Sequence, residues 1–185
     1  WEKYLTWAEY LCIYTQRPVI LFPIAFHMNR SATTWLNFRN TFNYLFKANK
    51  FNDNTLSVAN YTISQRLSEN PMRFFTAGTQ TIDDLTVLLT DIRSDKHPCF
   101  DRNCRVDIFA YSIGAFLTQV AFMANPQGVF SDTRAFLFCG GSLFKYMNGL
   151  SKNIMDKTCY DILQQFYTSN TWAEKAYGND SLSRS

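Results

Sequence analysis

The spacing of apolar residues changes several times along the chain, and each change predicts an element. Trp1, Tyr4, Leu5, Ala8, Leu11 and Cys12 recur at intervals of three and four, which predicts an amphipathic helix over Trp1 to Tyr14. Gln16-Arg17-Pro18 ends it. Val19 to Phe22 is a continuous apolar run between Pro18 and Pro23, the pattern of a buried parallel strand. Ile24 to Ser31, IAFHMNRS, follows as a loop at the strand's exit, with Ser31 or Thr33 as helix caps. Trp35, Phe38, Phe42, Tyr44, Leu45 and Phe46 give a helical, aromatic pattern, and Asn49 to Asn54 a turn. Val58 to Glu69 predicts a second helix, stopped by Asn70-Pro71. Phe74, Phe75 and Gly78 predict a further loop. A clean stripe of Ile82, Leu85, Leu88, Leu89 and Ile92 predicts a helix over Thr81 to Arg93, with Asp83 and Asp84 in its first turn. A polar loop with His97-Pro98 spans Ser94 to Asn103.

Arg105 to Ala124, RVDIFAYSIGAFLTQVAFMA, organises the rest. Val106, Ile108 and Phe109 read as a buried strand, whereas Phe116, Leu117, Val120, Ala121 and Ala124 fall at helical spacing. A strand therefore turns sharply into a helix with Ser112 at the apex. This is the setting of a nucleophile elbow, in which a tight turn strains the serine and exposes its hydroxyl over the strand end. Small residues on either side, Ala110 and Gly114, would let strand and helix approach, and the Ile113 N–H would point where an oxyanion forms. The competing reading is an ordinary turn whose serine caps the helix. Beyond the elbow, Asn125-Pro126-Gln127-Gly128 ends the helix, and Arg134 to Cys139 predicts another buried strand closed by Gly140-Gly141. Ser151 to Tyr167 predicts a helix, and the tail from Gly178 is polar and frayed.

Strands alternating with helices argue for an α/β fold with a mainly parallel sheet and right-handed crossovers. The AYSIGAF elbow, the helix WEKYLTWA and the run VILFPIAFHMNRS resemble the central part of the α/β-hydrolase superfamily, in an uncharacterised bacterial branch. The resemblance runs from Trp1 to about Tyr167. It implies a three-layer α/β/α domain over residues 1–185, incomplete at both ends, with a helical, aromatic-rich insertion at about 24–80. It implies a serine hydrolase, of esterase, thioesterase or lipase type, forming an acyl-enzyme on Ser112 with Ile113 as an oxyanion donor. His27, Asn29, Arg30 and Tyr111 would line the pocket.

The order of the triad is where the sequence departs from the superfamily. There the serine precedes an acid and then a histidine. Here both histidines, His27 and His97, precede Ser112. His97 falls in a helix-to-strand loop at the opposite end of the sheet, which sets it aside as a base. His27 follows a strand, on the same edge as the serine. No acid is assigned. The catalytic acid and histidine are therefore expected outside these residues, and the 185 residues alone are expected to be inactive. The alternative is a hydrolase-fold binding or scaffolding module without turnover.

Composition narrows the remaining classes. The net charge is +3 and the basic residues are scattered, which argues against nucleic-acid binding. No run approaches a membrane span. No signal peptide is visible, and a start on Trp1 without Met suggests a processed chain or a piece of one. There is no HExxH, paired-Cys or carboxylate cluster for a metal and no glycine-rich phosphate loop, so no cofactor is expected. The five cysteines are irregularly spaced: Cys12 and Cys139 read as small core residues, while Cys99 and Cys104 flank a loop across which they could pair. A reduced, cytoplasmic setting follows. The partner expected is a small ester, thioester or amide, with self-association through unpaired sheet edges.

Overall fold

The computed structural model describes residues 2–36, 39, 58–140 and 154–169. Its elements are helix α1 (Glu2–Thr15), α2 (Val58–Glu69), α3 (Met72–Arg93), strand β1 (Asp107–Tyr111), α4 (Ile113–Ala124), β2 (Arg134–Phe138) and α5 (Lys157–Thr168). Short 3-10 turns lie at Met28–Arg30, Thr33–Leu36 and Pro126–Gly128. The predicted turn at Asn49 to Asn54, the aromatic positions from Phe42 to Phe46, Gly141 and the tail from Gly178 lie outside the described residues.

The centre is a β–α–β unit. β1 and β2 are parallel, in register from Asp107 opposite Arg134 to Tyr111 opposite Phe138. Alternation along a strand sends successive side chains to opposite faces. On one face Phe109, Tyr111 and Phe138 meet Trp7 of α1, with ring centroids 6.0, 5.2 and 6.1 Å away. On the other, Ile108 joins a core formed by Leu89 of α3, Ala121 of α4, and Val129 and Phe130 of the return loop. α4 ends at Asn125, which is left-handed; its side chain accepts from the Phe130 N–H at 2.9 Å and so ties the return loop to the helix end. A second cluster forms where α5 lies on α2 and the start of α3. Cys159 and Ser64 are both fully buried there. Tyr167 donates to Pro71 O at 2.7 Å and accepts from the Phe75 N–H at 3.2 Å. Asp156 caps α5 by accepting from the Cys159 N–H.

The fold is thus mixed α/β around a parallel strand pair, and several expected boundaries move. Val19 to Phe22 forms no strand. Pro18 and Pro23 bracket a run of only four residues and remove two donors, and the run makes no backbone hydrogen bond to another described residue. Its Val19, Ile20 and Phe22 are exposed. α3 begins at Met72, so Phe74, Phe75 and Gly78 are helical and Asp83 and Asp84 sit mid-helix. Gly78 faces Leu117 of α4, 3.6 Å from where a Cβ would stand; it marks a helix–helix contact instead of a turn. β2 is exposed along its whole length, because the described residues pair it on one side only. Ile154 and Met155 precede α5, where Asp156 starts the helix. Cys12 and Cys139 are exposed, not core, and Cys99 and Cys104 are both free. Among the described residues no helix is long and apolar enough to cross a membrane.

Candidate active site

Ser112 stands at the carboxyl ends of both strands. Its N–H donates to Phe138 O at 2.9 Å, continuing the β1–β2 ladder by one step. Its own carbonyl accepts from the Ala115 and Phe116 N–H groups, which starts α4. Between those two commitments the backbone has one residue in which to turn, and it takes φ 55° and ψ −122°. This is the first central position of a type II′ turn, where glycine dominates. A Cβ there is strained, at a cost on the order of 1–3 kcal/mol.

The serine does not use that position to cap the helix: its side chain makes no capping hydrogen bond. The capping reading is therefore set aside, and the hydroxyl of this half-buried serine makes no hydrogen bond among the described residues. The first amides of a helix have no intrahelical acceptor. The Ile113 N–H is the first of these, immediately after the serine, and it adds to the positive end of the α4 dipole. The residues that hold strand and helix together are not quite those expected. Ala110 is buried, but a Cβ on Gly114 would meet no described atom within 4 Å. The close approach is instead between Ala115, wholly buried, and Gly140, where a Cβ would stand 3.2 Å from the Ala115 Cβ. Among the described residues, Gly114 therefore leaves open space next to the serine in the chain.

Tyr111 packs into an aromatic group with Tyr4, Trp7 and Phe138. Lys3 of α1 completes it: its ammonium lies 4.9 Å from the Tyr111 ring centroid, 4.8 Å from that of Tyr4 and 5.8 Å from that of Trp7. The sequence pattern missed Lys3, because only its contacts within α1, at one and four residues, are legible there. Its contact with Tyr111 is tertiary.

The polar loop behaves differently. Ala25 N–H donates to Thr81 Oγ1 at 2.9 Å, and Arg30 donates to Pro23 O at 3.0 Å and pairs with Asp84. Ser31 donates to Phe26 O at 2.8 Å instead of capping a helix. Phe26 and Met28, on either side of His27, are both left-handed, with φ 65° and 53°. His27 Nδ1 lies 3.3 Å from Ala25 O. The loop is thus fastened to α3, and among the described residues no hydrogen bond or ring contact joins His27, Asn29 or Arg30 to Ser112. His97 lies before β1; its Nδ1 accepts from the Cys99 N–H at 3.2 Å and its ring rests on Phe100.

The charged cluster lies at the other end of β1. Burial raises the pKa of Asp107, but hydrogen bonds from Arg105 and Arg17 outweigh it and lower the pKa to about 2. Arg17 Nη1 donates to it at 2.5 Å. This network ties the end of α1 to the start of β1 and leaves the serine end without a carboxylate of its own strand. Among the described residues no group of His, Cys, Asp or Glu could hold a metal.

The profile of a family of unknown function, DUF6051, matches residues 1–182, so the chain belongs to that family. No curated protein and no solved structure matches it.

Proposed function

We propose that this DUF6051 member is a serine hydrolase of the α/β-hydrolase type, taking a small ester, thioester or amide through an acyl-enzyme on Ser112. The observation that carries the reading is the serine's backbone: a strained, glycine-like corner between strand and helix, held at φ 55°, with the hydroxyl spared from capping. In the reaction Ser112 Oγ attacks the substrate carbonyl carbon and a base takes the hydroxyl proton. The carbonyl oxygen becomes an oxyanion facing the Ile113 N–H. Collapse expels the protonated leaving group, and water then hydrolyses the acyl-serine. Tyr111 lines the site from β1. His27, Asn29 and Arg30 belong to its wall in this reading, and the His27→Ala variant tests whether that imidazole is the base. The reading places the β–α–β unit inside a three-layer α/β/α domain, with the open side of β2 available to further strands or a second copy. A cytoplasmic setting belongs to the same proposal and is supported by five free cysteines.

The test is labelling of the full-length native protein by an alkyl fluorophosphonate, with the modified residue located by mass spectrometry. Modification at Ser112, lost on heat denaturation and in Ser112→Ala, is the expected result. An unmodified Ser112 in folded protein overturns the proposal and favours a non-catalytic binding module of the same fold.

A further inference from the structure

Lys3 lies over the last residue of β1, Tyr111, at the end of the strand where Ser112 follows. A tyrosine ring centroid lies about 4 Å from its Cα, and successive Cα atoms about 3.8 Å apart, so the Lys3 ammonium is within about 13 Å of the Ser112 Cα. The rings of Tyr4, Trp7 and Tyr111 hold it there by attraction to their faces. Lys3 takes part in none of the ion pairs among the described residues, which lie elsewhere. The nearest carboxylate of the elbow strand, Asp107, is at its far end and bound by Arg17 and Arg105. The N-terminus of α4 adds its partial positive charge at the serine. A Cβ on Gly114, two residues further on, would meet no described atom within 4 Å. On the α1 side the site therefore has a cation positioned by aromatic rings and free of ion pairs among the described residues.

We propose that Lys3 is a specificity residue of the Ser112 site, and that the substrate taken there carries a carboxylate remote from the bond to be cleaved. This rests on the hydrolase reading. A carboxylate at the far end of a short or medium acyl chain would reach the ammonium while the scissile carbonyl lies at Ser112 Oγ and the Ile113 N–H. Aromatic faces on either side of the lysine would pack against the methylenes between the two groups. Lys3 acts on binding and orientation and takes no part in bond making.

The experiment compares two fluorophosphonates on the full-length protein, one with an alkyl chain ending in carboxylate and the other in the isosteric carboxamide. The second-order rate of Ser112 labelling is followed for each. An exposed charge pair in this setting is expected to favour the carboxylate probe about fivefold, an advantage that shrinks with added salt. Lys3→Gln should bring the ratio of the two rates to near one, and Lys3→Arg should keep it. Equal rates in the native protein, or a preference that survives Lys3→Gln, overturn the assignment of Lys3 and leave the hydrolase reading standing. If neither probe labels Ser112, both fall.

Discussion

Replacing Ser112 by glycine should make the protein more stable. A serine at φ 55° and ψ −122° keeps a Cβ in a region where only glycine is unstrained, at a cost on the order of 1–3 kcal/mol. Glycine removes that cost. It also loosens the unfolded chain, which returns about 0.5–1 kcal/mol of the gain. Because the side chain makes no capping bond, little else is lost with the hydroxyl. The balance is a stabilisation of about 1 kcal/mol, or a rise in Tm of about 2–4 °C for a chain of this size. Ser112→Ala separates the causes, since it removes the hydroxyl and keeps the strained Cβ; it should lie within about 0.5 kcal/mol of the parent. The assay is urea unfolding of the full-length protein and both variants, followed by circular dichroism, with the three m-values compared. Both variants should lose fluorophosphonate labelling. If Ser112→Gly is less stable than Ser112→Ala, the corner is not strained, and the argument from geometry to nucleophile fails.

Other consequences can be checked on the same preparation. Gly140→Ala puts a methyl 3.2 Å from the buried Ala115 Cβ and should destabilise by about 1 kcal/mol, while Gly114→Ala, which meets no described atom, should stabilise by a few tenths to about 1 kcal/mol; paired urea titrations read both. Asp107 has a depressed pKa when folded, so its contribution is present above the ordinary carboxylate pKa and is lost as pH falls from about 4 to about 2. After discounting for solvent, the native protein should lose about 1 kcal/mol more over that window than Asp107→Asn, measured by urea midpoints at each pH. Burial pushes the Cys159 thiol up to about 11, whereas Cys12, Cys99, Cys104 and Cys139 are exposed. Iodoacetamide at pH 8 should therefore alkylate those four quickly and reach Cys159 only after unfolding, as peptide mapping would show.

The elbow was legible because two periodicities meet there at a single residue. Ile108 and Phe109 alternate across a strand, Phe116, Leu117 and Val120 follow a helix, and Ser112 lies where neither pattern continues. α1, α2 and α4 were legible for the same local reason. What failed depended on partners far along the chain. Val19 to Phe22 has strand composition, but a strand exists only where a neighbour accepts its backbone, and Arg17 meets Asp107 by its side chain instead. The apolar run of β2 suggested burial, which the run itself does not determine; the number of neighbouring strands does. Gly78 suggests a loop in the sequence, although in a helix a missing Cβ serves close packing equally well, here against Leu117. Gly114 failed in the opposite sense: its smallness was assigned to packing, and the packing is done by Ala115 and Gly140. Lys3 was invisible because one of the three rings that hold it belongs to β1.

A strained residue persists only where its surroundings leave the chain no relaxed alternative. At Ser112 those surroundings can be named. The Ser112 N–H is held by Phe138 O, so the residue cannot rotate away from β2 without breaking the ladder. Its carbonyl is held by the first turn of α4, so it cannot rotate away from the helix. The helix in turn is fixed over β2 by Ala115 against Gly140, and at its other end by Asn125 on Phe130. The corner is therefore determined from both sides by a β–α–β unit that would form equally well, and with less strain, around glycine. Structural need accounts for the corner but not for a serine in it. The side chain has no capping role to justify the cost, and it stands next to an amide without an intrahelical acceptor and a lysine without a carboxylate among the described residues. In the hydrolase reading proposed above, those three groups would meet one kind of visitor: a carbonyl to be attacked, an oxygen that gathers negative charge, and an anionic group held at a distance.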